Sequence, residues 1–286
     1  MSKLKPPHFA TLTVPANQPR APARHGKIEN IADDIYMVRG KMPSTASRPL
    51  FERLFRYFSR TMTIVRKKNN QGGYDLTLIN SLRLSDKALL QLADLGEVKH
   101  VVRLGSFHGV DDAFYAQHFG AKYWIVKGMK SASGLTIEEE VLSDNNLPIA
   151  GSQLFSFERL PYPEAILILP PTKQRAGLAI TTDSIQNHIS IFDIDNSPLV
   201  SFAIWRIGLA GKARLGPIWM REQTFLSSGA TNLTTTDKNQ LMSTFFRPQF
   251  ERLLKKYDFD MLMPGHGWPI YKNAKDAIRS SIESQL

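Results

Sequence analysis

Met261-Leu-Met-Pro-Gly-His266-Gly267 ends the last apolar run of the chain on an imidazole set between two glycines, and Leu178-Ala-Ile-Thr-Thr-Asp183 ends an earlier run on a carboxylate. Short runs of this composition read as buried strands. A small cation needs oxygen and imidazole ligands brought from separate elements, so two strand ends that each deliver one are the most informative feature of the sequence. Between Lys99 and Asp112 the further candidates are His100, His108, Asp111 and Asp112.

Strand signals surround these two runs. Ile35-Tyr-Met-Val-Arg39, Thr61-Met-Thr-Ile-Val-Arg66 and Tyr74-Asp-Leu-Thr-Leu-Ile79 are β-like, and Lys67 to Gly73 between the last two reads as a hairpin turn. Ser85 is placed to cap a helix running through Ala93 and ended by Gly96, after which His100-Val-Val-Arg-Leu104 forms a buried strand. Asp111 to Phe119 is helical and stopped by Gly120; Lys122-Tyr-Trp-Ile-Val126 is again β-like. A second set of strands follows at Leu154–Phe157, Ala165–Leu169 and Leu178–Thr182. A helix over Phe245–Tyr257, a strand over Phe259–Met263 and a closing helix from Asn273 to Ser284 complete the chain. Two strand-rich halves, each followed by amphipathic helices, predict an α+β fold built as a four-layer αββα sandwich of two mixed sheets.

With 286 residues and 42% hydrophobic content the chain can bury a large core. We expect a flexible N-terminal arm over residues 1–26, rich in proline, and a single domain over 27–286. The arm has no apolar h-region, which argues against a secretory signal and for a cytoplasmic protein. Cysteine is absent, so a thiolate metal site, a disulfide and a cysteine nucleophile are all excluded, leaving histidine and carboxylate as metal ligands. A net charge of +10 favours anionic partners. The basic residues are dispersed without a nucleic-acid-binding motif, so specific nucleic-acid binding is not expected. There is no Gly-x-Ser-x-Gly elbow, Walker A loop or dinucleotide-binding glycine motif.

Two segments break the rhythm. Arg48 to Arg60 places Leu50, Phe51, Leu54, Phe55 and Phe58 on one helical stripe, with Arg53, Arg56 and Arg60 largely off it. We expect a helix whose stripe is covered by the core or by a second copy of the chain in a homodimer; peripheral contact with anionic lipid is a further way to cover it. Leu199 to Arg221 is apolar, with Arg206, Lys212, Arg214 and Arg221 interspersed. Neither segment reads as a transmembrane helix.

The order of elements resembles the metallo-β-lactamase-like superfamily from about Lys27 to Ile282. Ile31-Ala-Asp-Asp-Ile-Tyr-Met-Val-Arg39 is similar to its first strand, and Leu95-Gly-Glu-Val-Lys-His-Val-Val102 to the run before its main metal motif. Thr181-Thr-Asp183 is similar to the strand end bearing its bridging aspartate, and Pro264-Gly-His266-Gly267 to its last histidine motif. The main motif, His-x-His-x-Asp-His, is degenerate. Here the stretch is Leu104-Gly-Ser-Phe-His108-Gly-Val-Asp111-Asp112. If His108 is the second histidine, Ser106 replaces the first, Val110 the aspartate and Asp111 the third histidine. If His108 is the first, Val110 replaces the second and Asp112 is the aspartate. The middle histidine expected before the Asp183 strand is missing from Phe157-Glu-Arg-Leu-Pro-Tyr-Pro-Glu164.

The resemblance implies a hydrolase in which metal lowers the pKa of water and polarises substrate. His108, Asp111, Asp112, Asp183 and His266 are the candidate metal ligands, with Asp183 and His266 as catalytic residues. So few N and O ligands suit one divalent transition metal, Zn, Fe or Mn. The implied function is a metal-dependent hydrolase of a small anionic or ester-like substrate. The alternative is a non-catalytic protein of the same fold that lost its metal and binds a ligand or partner. If a metal is held, imidazole and carboxylate atoms of His108, Asp183 and His266 should lie within about 5 Å of a common centre. His118 and His188 read as surface or structural residues.

Overall fold

The computed structural model of the protein describes residues 22–41, 59–130, 138–189, 202, 205–206, 208–226 and 234–286. The chain divides into two compact units, one of residues 1–103, 109–125 and 130–140, the other of 104–108, 126–129 and 141–286.

The first unit is organised by a seven-stranded sheet in chain order: β1 (Glu29–Ala32), β2 (Ile35–Lys41), β3 (Ser59–Lys68), β4 (Tyr74–Ile79), β5 (Glu97–Arg103), β6 (Lys122–Val126) and β7 (Glu139–Leu142), the last of which runs into the second unit. Strands β1 to β4 pair antiparallel; β4, β5 and β6 pair parallel. The switch follows from connection length. The β3–β4 turn is a short hairpin, in which Asn69 Oδ1 accepts the backbone N–H groups of Gln71 and Gly73, whereas α1 (Asp86–Leu95) and α2 (Asp112–Phe119) supply the crossovers that parallel neighbours need. Gly120, at φ 63°, ends α2 as expected. Ser85 precedes α1, but its side chain makes no capping bond.

One expectation needs correction. Residues 48–58 of the basic aromatic segment lie outside the described residues, as do residues 1–21 of the arm. Arg60, read as the polar edge of that helix, instead lies in β3 opposite Gly40 and is only 2% exposed. Its guanidinium donates to Asp111 Oδ2 at 3.0 Å and to the Ser81 carbonyl at 2.7 Å, which is how a charge is accommodated in a strand interior.

The second unit holds a four-stranded mixed sheet in the order β13 (Met261–Met263), β10 (Leu178–Ile180), β9 (Ala165–Leu169), β8 (Gln153–Ser156), plus a hairpin of β11 (Ile185–His188) and β12 (Gly211–Leu215). All five residues of β9 are buried, the unbroken apolar pattern of a central strand. Its helices are α3 (Pro217–Arg221), followed by a π-helical turn over Glu222–Leu226, then α4 (Thr235–Lys256) and α5 (Ala274–Gln285). Helix α4 begins ten residues before its apolar pattern suggests, because Thr234 and Asp237 form a reciprocal capping box ahead of a polar first turn. Trp219 is buried against Phe246, ring centres 4.9 Å apart, and against Phe157 at 5.0 Å, so part of the apolar 199–221 segment is core. Trp205 behaves differently, lying 52% exposed beside Phe202. Each unit thus combines a mixed sheet with helices, the two ingredients the expected sandwich requires.

Candidate functional site

Parallel pairing of β10 with β13 sets Ile180 beside Met263, so both strands finish level and both chain continuations leave the same sheet edge. The Thr181 N–H donates to the Met263 carbonyl at 3.0 Å and carries the pairing one residue further, bringing Asp183 and His266 together. Asn187 fastens the far side. Its N–H donates to the His266 carbonyl, its carbonyl accepts the Trp268 N–H, and its Nδ2 donates to the Trp268 carbonyl. Gly267, at φ 91°, lies so close to this strand that an added Cβ would come within 2.1 Å of the Asn187 carbonyl oxygen. Only glycine fits that approach and that backbone conformation.

His108 reaches the same point from the loop 104–108. That loop is laced to the segment before β9: Ala165 N–H donates to the Leu104 carbonyl, and both the N–H and Oγ of Ser106 donate to the Pro163 carbonyl. The result is a compact cluster. His108 Nε2 and His266 Nε2 are 3.1 Å apart, His266 Nε2 is 3.1 Å from Asp183 Oδ1, and His108 Nε2 is 3.4 Å from Asp183 Oδ2. One ligand atom from each of the three residues lies within 4.8 Å of the others, as the sequence led us to expect. The three side chains are between 4 and 15% exposed.

Burial by itself would raise the Asp183 carboxyl, but the His108 and His266 imidazoles outweigh it and hold Asp183 well below the usual carboxylate range. Glu164 is displaced in the opposite direction, raised well above the usual range by burial and then by the Asp183 charge. Its Oε1 accepts the backbone N–H groups of Asp183 at 3.1 Å and Ser184 at 2.7 Å.

These donors fit a metal. One lone-pair-bearing atom from each of the three residues converges, and Asp183 Oδ2 is buried 3.4 Å from His108 Nε2. Bonds of about 2.0–2.2 Å in a tetrahedral shell separate neighbouring ligand atoms by roughly 3.3 Å, close to the spacings observed. The cluster can therefore hold one metal ion.

Not every predicted residue is in it. Asp111 is taken up by Arg60. Asp112 accepts Ser81 Oγ at 2.5 Å and Tyr123 OH at 2.9 Å, and burial raises its pKa. Neither carboxylate belongs to the cluster, and both are engaged by partners of their own. Ser106, at a ligand position in one alignment frame, spends its hydroxyl on Pro163.

Two residues near the cluster were not among the candidates that the sequence offered. His188, read as surface or structural, is fully buried on β11 with its ring centre 6.5 Å from that of His266. Glu164 abuts the wholly apolar β9, and a charge at the threshold of a buried strand is the pattern that would have singled it out. His118 does stack on Phe114, at 5.3 Å and 12°.

No protein-family model and no curated protein matches the sequence. Solved structures do. A β-lactamase domain protein from Burkholderia ambifaria aligns over 95% of this chain and 74% of its own, with TM-score 0.53 and 10% identity. VMB-1 aligns over 90% of this chain and 96% of its own, with TM-score 0.51 and 13% identity. The metallo-β-lactamase DIM-1 covers 92% of this chain and 100% of its own, with TM-score 0.50 and 11% identity. At such identities the likeness speaks for the fold alone. With the paired-strand scaffold and its reduced ligand set, it identifies this chain as a divergent example of the metallo-β-lactamase fold.

Proposed function

We propose that the protein is a metal-dependent hydrolase with a single divalent transition metal, Zn, Fe or Mn, held by His108, Asp183 and His266. The observation that carries this reading is the convergence of two Nε2 atoms and a carboxylate within 4.8 Å in a buried setting. When bound, such an ion polarises a substrate oxygen and lowers the pKa of water at the site. The protein's part is to keep the donors in the right states. Both imidazoles must offer Nε2 as neutral rings, and Asp183 must be ionised, for the three to act as ligands. Asp183 Oδ2 is the atom we assign to orient an attacking water by accepting a hydrogen bond from it.

The substrate we favour is small and anionic or ester-like. The positive net charge favours anions. Phe107, next to His108, pairs with Tyr162 at 5.1 Å, and the two rings, 41% and 38% exposed, offer an apolar surface for the carbon part of a substrate. The degenerate stretch from Ser106 to Asp112 favours a second reading, a metal-free binder. One experiment separates them: metal content of protein purified from Zn-, Fe- and Mn-supplemented medium, beside its activity on a panel of carboxylic and phosphoric esters. One equivalent of metal, lost in His266→Ala together with ester cleavage, is the expected result. Metal-free wild-type protein that takes up no added Zn(II) would overturn the hydrolase and leave the binder.

A further inference from the structure

Glu164 is 1% exposed, and its Oε1 takes two backbone N–H groups, those of Asp183 and Ser184. Its backbone faces the other way. It pairs with Gly105, flanked by the Ala165–Leu104 bond on one side and the Ser106–Pro163 bonds on the other, while the His108 N–H donates to the Gly105 carbonyl. A single residue therefore joins the turn that carries Asp183 to the loop that carries His108, and all of these groups lie within one compact unit. Its second oxygen, Oε2, is buried with no hydrogen-bond partner. An apolar side chain would fill the space without that cost, so the role of the carboxyl lies in the acceptor it presents to the two amides.

We infer that Glu164 is a positioning residue for the cluster, one that stays out of the ligand set and fixes the distance between the Asp183 carboxylate and the His108 imidazole. The inference rests on the metal reading above. Groups that hold ligands in place typically change metal affinity about 10–100-fold when removed. Here the required property is two accepted hydrogen bonds, which an amide oxygen supplies as well as a carboxylate.

The test is a titration of metal-stripped full-length protein with Co(II), followed by its ligand-field absorption and by chelator competition, with thermal melts of the metal-free proteins as the control for folding. Wild type, Glu164→Gln and Glu164→Ala are compared. We expect wild type to take one equivalent and Glu164→Gln to bind within about threefold of it with the same absorption band. Glu164→Ala should bind about 10–100-fold more weakly with a shifted band while remaining folded. A folded Glu164→Ala with wild-type affinity and band overturns the inference, as does a folded Glu164→Gln that loses tenfold or more. If Glu164→Ala does not fold, Glu164→Gln decides alone. Wild type that takes up no Co(II) is a separate outcome, removing the metal reading and the positioning role with it.

Discussion

His100 shows how one side chain can be read for its environment instead of for catalysis. It stood among the possible metal donors of its stretch, yet its Nδ1 accepts the Trp124 Nε1–H at 3.1 Å, a bond that requires the neutral ring. Burial, helped by Lys122, lowers its pKa from the ordinary value of 6.5. The unfolded chain therefore takes up this proton first, and the stability tied to neutral His100 is present above pH 6.5 and lost as pH falls from there toward the lowered folded value. Melting temperature should accordingly fall between pH 7.5 and 5.5 less steeply in His100→Gln than in wild type. Equal slopes would show that His100 does not contribute. Gly267 allows a second prediction at this scale. Gly267→Ala forces a Cβ against the Asn187 carbonyl at a positive φ, so chemical denaturation should show a loss of several kcal/mol, beyond the about 1 kcal/mol typical of a point substitution.

At the scale of elements, the cluster depends on two short strands and the packing behind them. β10 and β13 have three residues each, too few to hold a site alone, and they are fixed by the aromatic core that α4 lays down. Phe246 and Phe250 on α4 pack against Trp219, and Phe250 against Phe157 as well. Phe246→Ala should cost about 3–5 kcal/mol in denaturant unfolding, the range for emptying a fully buried aromatic site. A loss under 1 kcal/mol would mean that the core closes over the gap. Helix α4 also shows what apolar periodicity cannot see. Its first turn is set by the polar pair Thr234 and Asp237, and it continues through Pro248, a residue that ordinarily ends or kinks a helix.

For the whole molecule, no helix among the described residues is long and apolar enough to cross a membrane. Metal should act on stability through mass action, because an ion that binds the folded cluster and not the unfolded chain stabilises by about 2.7 kcal/mol at a hundred times its Kd. Zn(II) is expected to raise the melting temperature by several degrees, a chelator to reverse the shift, and Asp183→Ala to abolish it. A shift that persists in Asp183→Ala would locate the binding elsewhere.

The strands from Ile35 to Val126, the paired runs ending at Asp183 and His266, and the membership of His108 in their cluster were all legible in the sequence. Alternating or unbroken apolar runs, glycine stops and turn residues act over a few neighbours, so their signal survives without the fold. Asp111, Asp112, Arg60 and Glu164 were not legible. Two adjacent acids before a helix read equally as caps or as ligands, and it took Arg60, 51 residues away, and Ser81, 31 residues away, to decide what they do. The partners of Glu164 were hidden for the same reason: its side chain meets the amides of Asp183 and Ser184 only because β9 and β10 pair antiparallel. Local sequence determines which residues become strands and which strand ends carry donors. Which carboxyl is ligand, ion-pair partner or brace depends on charges and amides brought close only by tertiary packing, because a buried charge takes its role from the partner it meets there.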